Sequence, residues 1–378
     1  MTQNQTKPNY NEITWISALR ILACLLVIIA HCCDPFVSGD SVEGFNAGAL
    51  WGTLCRASVP LFMMISGVLL LPSKLSVGDF YSRRLKRILI PFIFWSLVSP
   101  WLFYVFTQSM DTVNPTIIAE NHTLLATIQA SYLWLFNFSY STIPYWYIYM
   151  MIGVYLIIPL ISDWLKKASR RDLHIVLGIW LFTTIVPYIQ AALPLIGYAG
   201  NYGSMGIYGE CSWNIFTTFQ YVGGFLGYTL LAHYLVRFPL SWSLSKTLLI
   251  GGLIFVAGYA ITLYGFHYTR DNYPDNFNML EVIWSFTNIN VVMMTVALFI
   301  IVQKIEFKPA AWISSLSAAT FGIFLLHFVV VHVVYELIAQ NLVFNPILQI
   351  LVIGIISFIL TSVIMVLLRK TPLFRKLS

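Results

Sequence analysis

Charge is scarce in this 378-residue chain. Asp, Glu, Lys and Arg make up only 10% of it against 58% hydrophobic residues, and mean hydropathy is +0.78. Soluble proteins carry about 25% charge, so a water-surrounded fold is excluded and a polytopic membrane protein is expected. The net charge of +6 then bears on which loops face the cytoplasm, and no nucleic-acid partner is implied. There is no linker rich in Pro, Gly or Ser, no soluble appendage and no internal repeat, so one domain over residues 1–378 is expected. No cleavable leader is expected either: the first apolar stretch contains Arg20 and lacks a small-residue cleavage site. The five cysteines (Cys24, Cys32, Cys33, Cys55 and Cys211) follow no metal-ligand spacing and no paired framework. They read as buried thiols acting as small hydrophobes, with no metal expected.

What is abundant is apolar runs long enough to cross a bilayer. Ten lie near Ile13–Cys33, Ala47–Leu71, Ile88–Phe106, Ile143–Ser162, Leu173–Leu193, Trp213–Val236, Lys246–Phe266, Met279–Gln303, Ala310–Ile338 and Pro346–Leu368. The expected fold is therefore all-α with about ten transmembrane helices. Leu124–Phe136 is apolar but short and reads as interfacial or re-entrant; as a span it would raise the count to eleven. The Gly-rich segment Pro194–Ser212 either covers the outer mouth of a site or simply connects spans, and connection is the commoner use.

The cations set the orientation. With the N-terminus inside, the inner segments hold Lys7; Lys74, Arg83, Arg84, Lys86 and Arg87; Lys166, Lys167, Arg170 and Arg171; Arg237 and Lys246; Lys304 and Lys308; and Arg369, Lys370, Arg375 and Lys376. The outer loops then hold Arg270 alone, beside the acids Asp34, Asp40, Glu43, Asp111, Glu120, Glu210, Asp271 and Asp275. This is the positive-inside pattern, and it places both termini in the cytoplasm.

Arg20 and His31 stand eleven positions apart in the first span. At ~100° per residue that is three turns plus about 20°, so both side chains point one way, ~16 Å apart along the axis. Ionisable groups inside a span are costly and usually face a cavity or a partner. Asp34, three residues beyond His31, is placed to hold the ring in one tautomer and to stabilise its protonated form. Arg56 puts a second cation in the first hairpin, and a polyanionic ligand is one natural counter-charge. Arg83, Arg84, Lys86 and Arg87 open the third span; Arg84 and Arg87, one turn apart, can address the same phosphate. On its own that cluster also fits a topology anchor against anionic lipid headgroups.

Together these residues resemble a known pattern. Arg20, ten intervening residues, then His31 looks like the signature of the acyltransferase-3 family of integral membrane acyltransferases. Arg84-Leu-Lys-Arg87 is similar to that family's second motif. Ser58–Gly67 resembles its second helix, Tyr145–Pro159 its fourth, and Thr320–His327 its late segment. Within the family, the length and the wording of the second span look most like the branch that acetylates an enterobacterial surface glycan. The resemblance implies transfer of an acyl group, often acetyl, from cytoplasmic acyl-CoA (acetyl-CoA) to a hydroxyl of a carbohydrate or lipid-linked glycan acceptor. It implies His31 as the catalytic residue, with Arg20, Arg84 and Arg87 handling the acyl-CoA. A general-base role for His31 is favoured over a covalent acyl-histidine. Arg56 would either stabilise the oxyanion or pair with Asp34 or Glu281.

Other polar residues read less sharply. Glu281, Ser285, Thr287, Asn288 and Asn290 put several polar groups in the eighth span; Glu281 shares a face with Ser285 and with Asn288, and the group either lines the acceptor site or ties helices together. Tyr145, Trp146, Tyr147 and Tyr149 read first as an aromatic belt. Sugar rings also stack on such residues, so Trp146 joins Glu281 and Asn288 as a candidate acceptor contact. His327 and His332 are ~140° apart around a helix, which argues against a shared metal. His327 reads as a packing and hydrogen-bonding residue near the cavity; His122, His174, His233 and His267 read as water-facing. The rival class is a transporter or flippase for a lipid-linked glycan or small anion, whose mark would be matched, interrupted helices.

Overall fold

The computed structural model describes residues 10–135, 139–192, 223–274, 277–342 and 344–378. Among them there is no strand. Within hydrocarbon each apolar segment must satisfy its own backbone groups, and the helix does so without a partner.

In chain order the helices begin with α1 (Tyr10–Ser38), α2 (Val42–Cys55), α3 (Ser58–Leu70) and α4 (Val77–Phe80). A π-helical turn over Tyr81–Leu85 leads into α5 (Lys86–Ser109), and α6 (Leu124–Tyr132) follows. A 3₁₀ turn over Tyr140–Tyr145 opens α7 (Trp146–Lys167), then come α8 (Arg170–Thr183) and α9 (Val186–Ala192). The remainder are α10 (Leu226–Arg237), α11 (Leu244–Asn272), α12 (Phe277–Trp284), α13 (Ile289–Lys304), α14 (Ala311–Ala339), α15 (Pro346–Leu368) and α16 (Pro372–Lys376).

Nine stretches among the described residues are long and apolar enough to cross a membrane. They coincide with nine of the ten expected spans, and this is a multi-pass membrane protein. Of the sixth expected span, Trp213–Val236, residues 213–222 lie outside the described residues, as do the Gly-rich segment 194–212 and Cys211. The apolar stretch after Leu124 forms α6, nine residues long. At ~1.5 Å per residue it is too short to span, in keeping with an interfacial segment.

Three spans are interrupted where the sequence suggested continuity. The second breaks at Arg56–Ala57, the fifth between Thr183 and Val186, and the eighth between Trp284 and Ile289. The last two breaks share a hydrogen bond: the Ile289 amide donates to the Thr184 carbonyl at 3.1 Å. The Tyr228 hydroxyl donates to the Phe286 carbonyl at 2.6 Å. Backbone freed at the fifth and eighth spans thus finds a protein partner, the condition for irregular structure at membrane depth.

The chain forms two compact units. The first contains the residues up to Cys55, Leu75–Leu156 and Glu306–Ser378; the second contains Arg56–Lys74 and Ile157–Ile305. In the first unit α1 lies along α14. Arg20 meets Ser317, Cys24 meets the Thr320 carbonyl, and His31 meets the His327 and Phe328 rings. The offset stays at 296–297 residues, so the two helices run parallel and start on the same side. An even number of crossings must separate their starts. Seven of the long spans among the described residues precede α14, and α10 lies between the fifth and sixth of these.

In the second unit α3 and α10 touch at backbone distance. A Cβ at Gly67 would run into the backbone of Thr229, and one at Gly227 into the Trp180 indole. Only a missing side chain allows this approach. Gly67→Ala is expected to cost at least about 1–3 kcal/mol, the range for overpacking. The check is the melting temperature of the purified variant in detergent; an unchanged value would show that the two backbones can part.

Candidate active site

His31 sits on the face of α1 that packs on α14. Its Nδ1 lies 2.9 Å from Asp34 Oδ2, one turn on. An ionised carboxylate only accepts, so Nδ1 carries the proton and Nε2 of the neutral ring keeps its lone pair. The side chains of His31 and Asp34 are 20% and 48% exposed, so solvent-sized groups can reach the pair. The His327 ring centroid stands 5.3 Å away, and that of Phe328 stands edge-on at 5.0 Å. Phe328 itself packs with Phe103 and Phe106, both buried.

Beyond that aromatic cluster lies a closed polar ring. The Asn114 amide donates to His332 Nδ1 at 2.9 Å. That leaves the His332 proton on Nε2, which donates to the Tyr140 hydroxyl at 3.2 Å. Tyr140 donates to Thr116 Oγ1 and Thr116 to Asn114 Oδ1, each at 2.6 Å. Buried Glu336 accepts from the backbone amides of Val113 and Asn114 at 2.8 and 3.0 Å. These bonds fasten the segment after α5 onto α14. The sequence reading passed over Glu336, although a lone acid inside an apolar span is a recognised sign of a buried partner.

Arg20 is half-buried, donating to Ser317 Oγ at 3.4 Å, with Tyr147 and Tyr155 in its electrostatic surroundings. Tyr155 also packs against Phe80, ring centroids 6.2 Å apart, and Tyr81 donates to the Leu156 carbonyl at 2.6 Å. The aromatic neighbours of Arg20 therefore adjoin the turn that carries the basic motif. That turn is π-helical, a form found mostly as single turns and often at functional sites. Arg84 is half-buried; Arg83, Lys86 and Arg87 are exposed. Among the described residues none of these four cations makes an ion pair.

The other candidates meet surroundings of their own. Arg56 lies in the second unit, with its guanidinium 4.5 Å from the Trp284 ring centre and 3.8 Å from that of Phe286. It donates to the Trp284 carbonyl, the last of α12. A cation at a helix C-terminus answers an orphan carbonyl and the helix dipole, so its visible work is to brace two broken spans. The shared face of Glu281, Ser285 and Asn288 does not exist, because the helix stops at Trp284 and restarts at Ile289. Asn288 is buried and donates to the Val282 carbonyl at 2.5 Å, tying that break together. The side chain of Glu281 lies outside the described residues. Trp146, partly exposed, starts α7. Tyr145 and Tyr147 are buried rather than belted at an interface. Tyr145 donates to the Leu325 carbonyl at 2.6 Å and lies 2.7 Å from Ser99 Oγ, joining the turn before α7 to α5 and α14.

His122 and His233 are buried too, not water-facing. His122 stacks on Phe103 at 5.5 Å, and burial holds its imidazole below the usual histidine range. Cys24, Cys32, Cys33 and Cys55 are free thiols in the interior, as expected.

The helical fold defines a multi-pass membrane protein, and its first helix carries a carboxylate-fixed imidazole aligned with Arg20. The sequence profile of the acyltransferase-3 family, described as an acyltransferase domain, matches residues 13–366, and the chain belongs to that family. It is a membrane acyltransferase. Comparison with curated proteins and with solved structures returns no match.

Proposed function

We propose that this chain is an acyl-CoA-dependent O-acyltransferase of the bacterial inner membrane. It moves acetyl from cytoplasmic acetyl-CoA to a hydroxyl of a surface polysaccharide or its lipid-linked precursor. Its finer likeness is to the O-acetyltransferase of enterobacterial common antigen. The observation that carries this reading is the His31–Asp34 pair, 2.9 Å apart, on the same face of α1 as Arg20. With Nδ1 held by Asp34, His31 Nε2 takes the proton from the acceptor hydroxyl as its oxygen attacks the thioester carbon. The C–S bond breaks, and His31 returns the proton to the departing thiolate. Arg84 and Arg87, with Arg83 and Lys86, hold the CoA phosphates at the cytoplasmic face, and Arg20 lines the path of the pantetheine arm. Arg56 is assigned the bracing role described above.

The interrupted spans are the one observation that favours a transporter, since such breaks mark many carriers. One experiment separates the two. Purified protein given acetyl-CoA should release free CoA, faster when acceptor glycan is added; a carrier releases none. Mass spectrometry of cell-surface glycans with and without the gene then identifies the acceptor.

A further inference from the structure

His327 is fully buried on α14. Its Nδ1 lies 2.5 Å from the Phe324 carbonyl. A carbonyl only accepts, so Nδ1 carries the proton. The other nitrogen, Nε2, is buried without a hydrogen-bond partner. A lone pair left unsatisfied in the interior costs free energy, and this one is buried away from solvent. Whatever satisfies it must come from a neighbouring side chain, and the ring beside it is His31, centroids 5.3 Å apart.

His31 also carries its proton on Nδ1, towards Asp34. Two neutral imidazoles of this tautomer each offer only an acceptor at Nε2. They cannot bond to one another, and no hydrogen bond joins them here. Protonation of His31 changes that, because its Nε2 becomes a donor beside an acceptor that lacks one.

We infer that His327 is a positioning residue for His31, its buried Nε2 held ready to accept from the His31 imidazolium. The inference rests on the reading of His31 as the general base. The hydroxyl proton passes to His31 Nε2, the ring turns that N–H towards His327, and the proton then leaves to the thiolate sulfur, so that alcohol and thioester become ester and thiol. Asp34 and His327 thus stabilise the charged ring from its two nitrogens.

The other ionisable groups near His31 are accounted for. On α14, His332 is held by Asn114 and Tyr140, and Glu336 by two backbone amides. Asp34 is on α1 itself, with Arg20 and the buried thiols Cys24, Cys32 and Cys33; α2 carries Glu43 and the buried thiol Cys55, Tyr335 of α14 packs edge-on against Phe36, and α15 carries no titratable side chain.

Two substitutions divide the ring's functions. His327→Asn keeps a donor for the Phe324 carbonyl and removes the group at the Nε2 position. His327→Gln places an amide oxygen near that position and gives up the anchor. Carbethoxylation of His31 by diethyl pyrocarbonate, followed by peptide mass spectrometry across pH, reads how readily His31 binds a proton without requiring turnover. In His327→Asn the labelling midpoint is expected roughly one pH unit below wild type, the size of one lost charge-assisted bond. In His327→Gln it should stay near wild type. Acetyl transfer should fall about tenfold or more in His327→Asn, with the KM for acetyl-CoA unchanged and partial recovery in His327→Gln. A wild-type midpoint in His327→Asn overturns the inference and leaves His327 as packing. Failure of the wild type to release CoA overturns the acyltransferase reading instead, and the labelling result stands apart from it.

Discussion

Replacing His31 with alanine is expected to abolish acetyl transfer while leaving the protein folded. A positioned general base contributes about 10²–10⁴-fold, and no second basic nitrogen can stand in. His327 Nε2 is out of reach of solvent-sized groups, and His332 is committed to Asn114 and Tyr140. The fold should survive because the only hydrogen bond His31 makes among the described residues is local, to Asp34 on the same helix. Free CoA released from acetyl-CoA gives the rate, and the melting temperature in detergent gives the fold. Asp34→Asn provides a graded control: it keeps the geometry, weakens stabilisation of the imidazolium and should lose only part of the rate. If His31→Ala retains activity, the imidazole has no catalytic part.

The double substitution Arg84→Ala with Arg87→Ala is expected to raise the KM for acetyl-CoA by about 10- to 100-fold with little change in kcat. Charge-assisted bonds are worth about 1.5–3 kcal/mol each when sheltered, and the exposure of Arg87 puts its share near the bottom of that range. The effect should shrink at high salt, since screening weakens exposed contacts. Acetyl-dephospho-CoA, which lacks one phosphate, should lose less on the same substitution. If the acceptor KM changes instead, the phosphates are held elsewhere and the cluster is a topology anchor.

Much of the site lies within one segment and is therefore legible from spacing. Arg20, His31 and Asp34 belong to a single unbroken helix, α1, so rotation per residue alone aligns them. Residues 81–87 likewise keep their cations together whatever packs around them. Reading by helical face failed at the eighth span, where it assumed a helix continuous past Trp284. Local contacts such as Asn288 to the Val282 carbonyl tie the break, but it also draws on a hydrogen bond to Thr184, about a hundred residues away, and a guanidinium from Arg56. The same limit hid Glu336 and the neighbour of His327, since these contacts come from the segment after α5 and from α1.

The sequence by itself determined the class of protein, nine of its apolar spans, the charge asymmetry between loops and the first helix with its aligned cation and imidazole. Hydrophobic length and helical periodicity act within a segment, and a chain shows them without being folded. Only the tertiary structure decided that α14 lies parallel to α1, that a buried lone pair waits beside His31, and that Arg56 braces helix ends. Hydrogen-bond satisfaction depends on which distant groups meet, and in a helical membrane protein the packing of whole spans decides that.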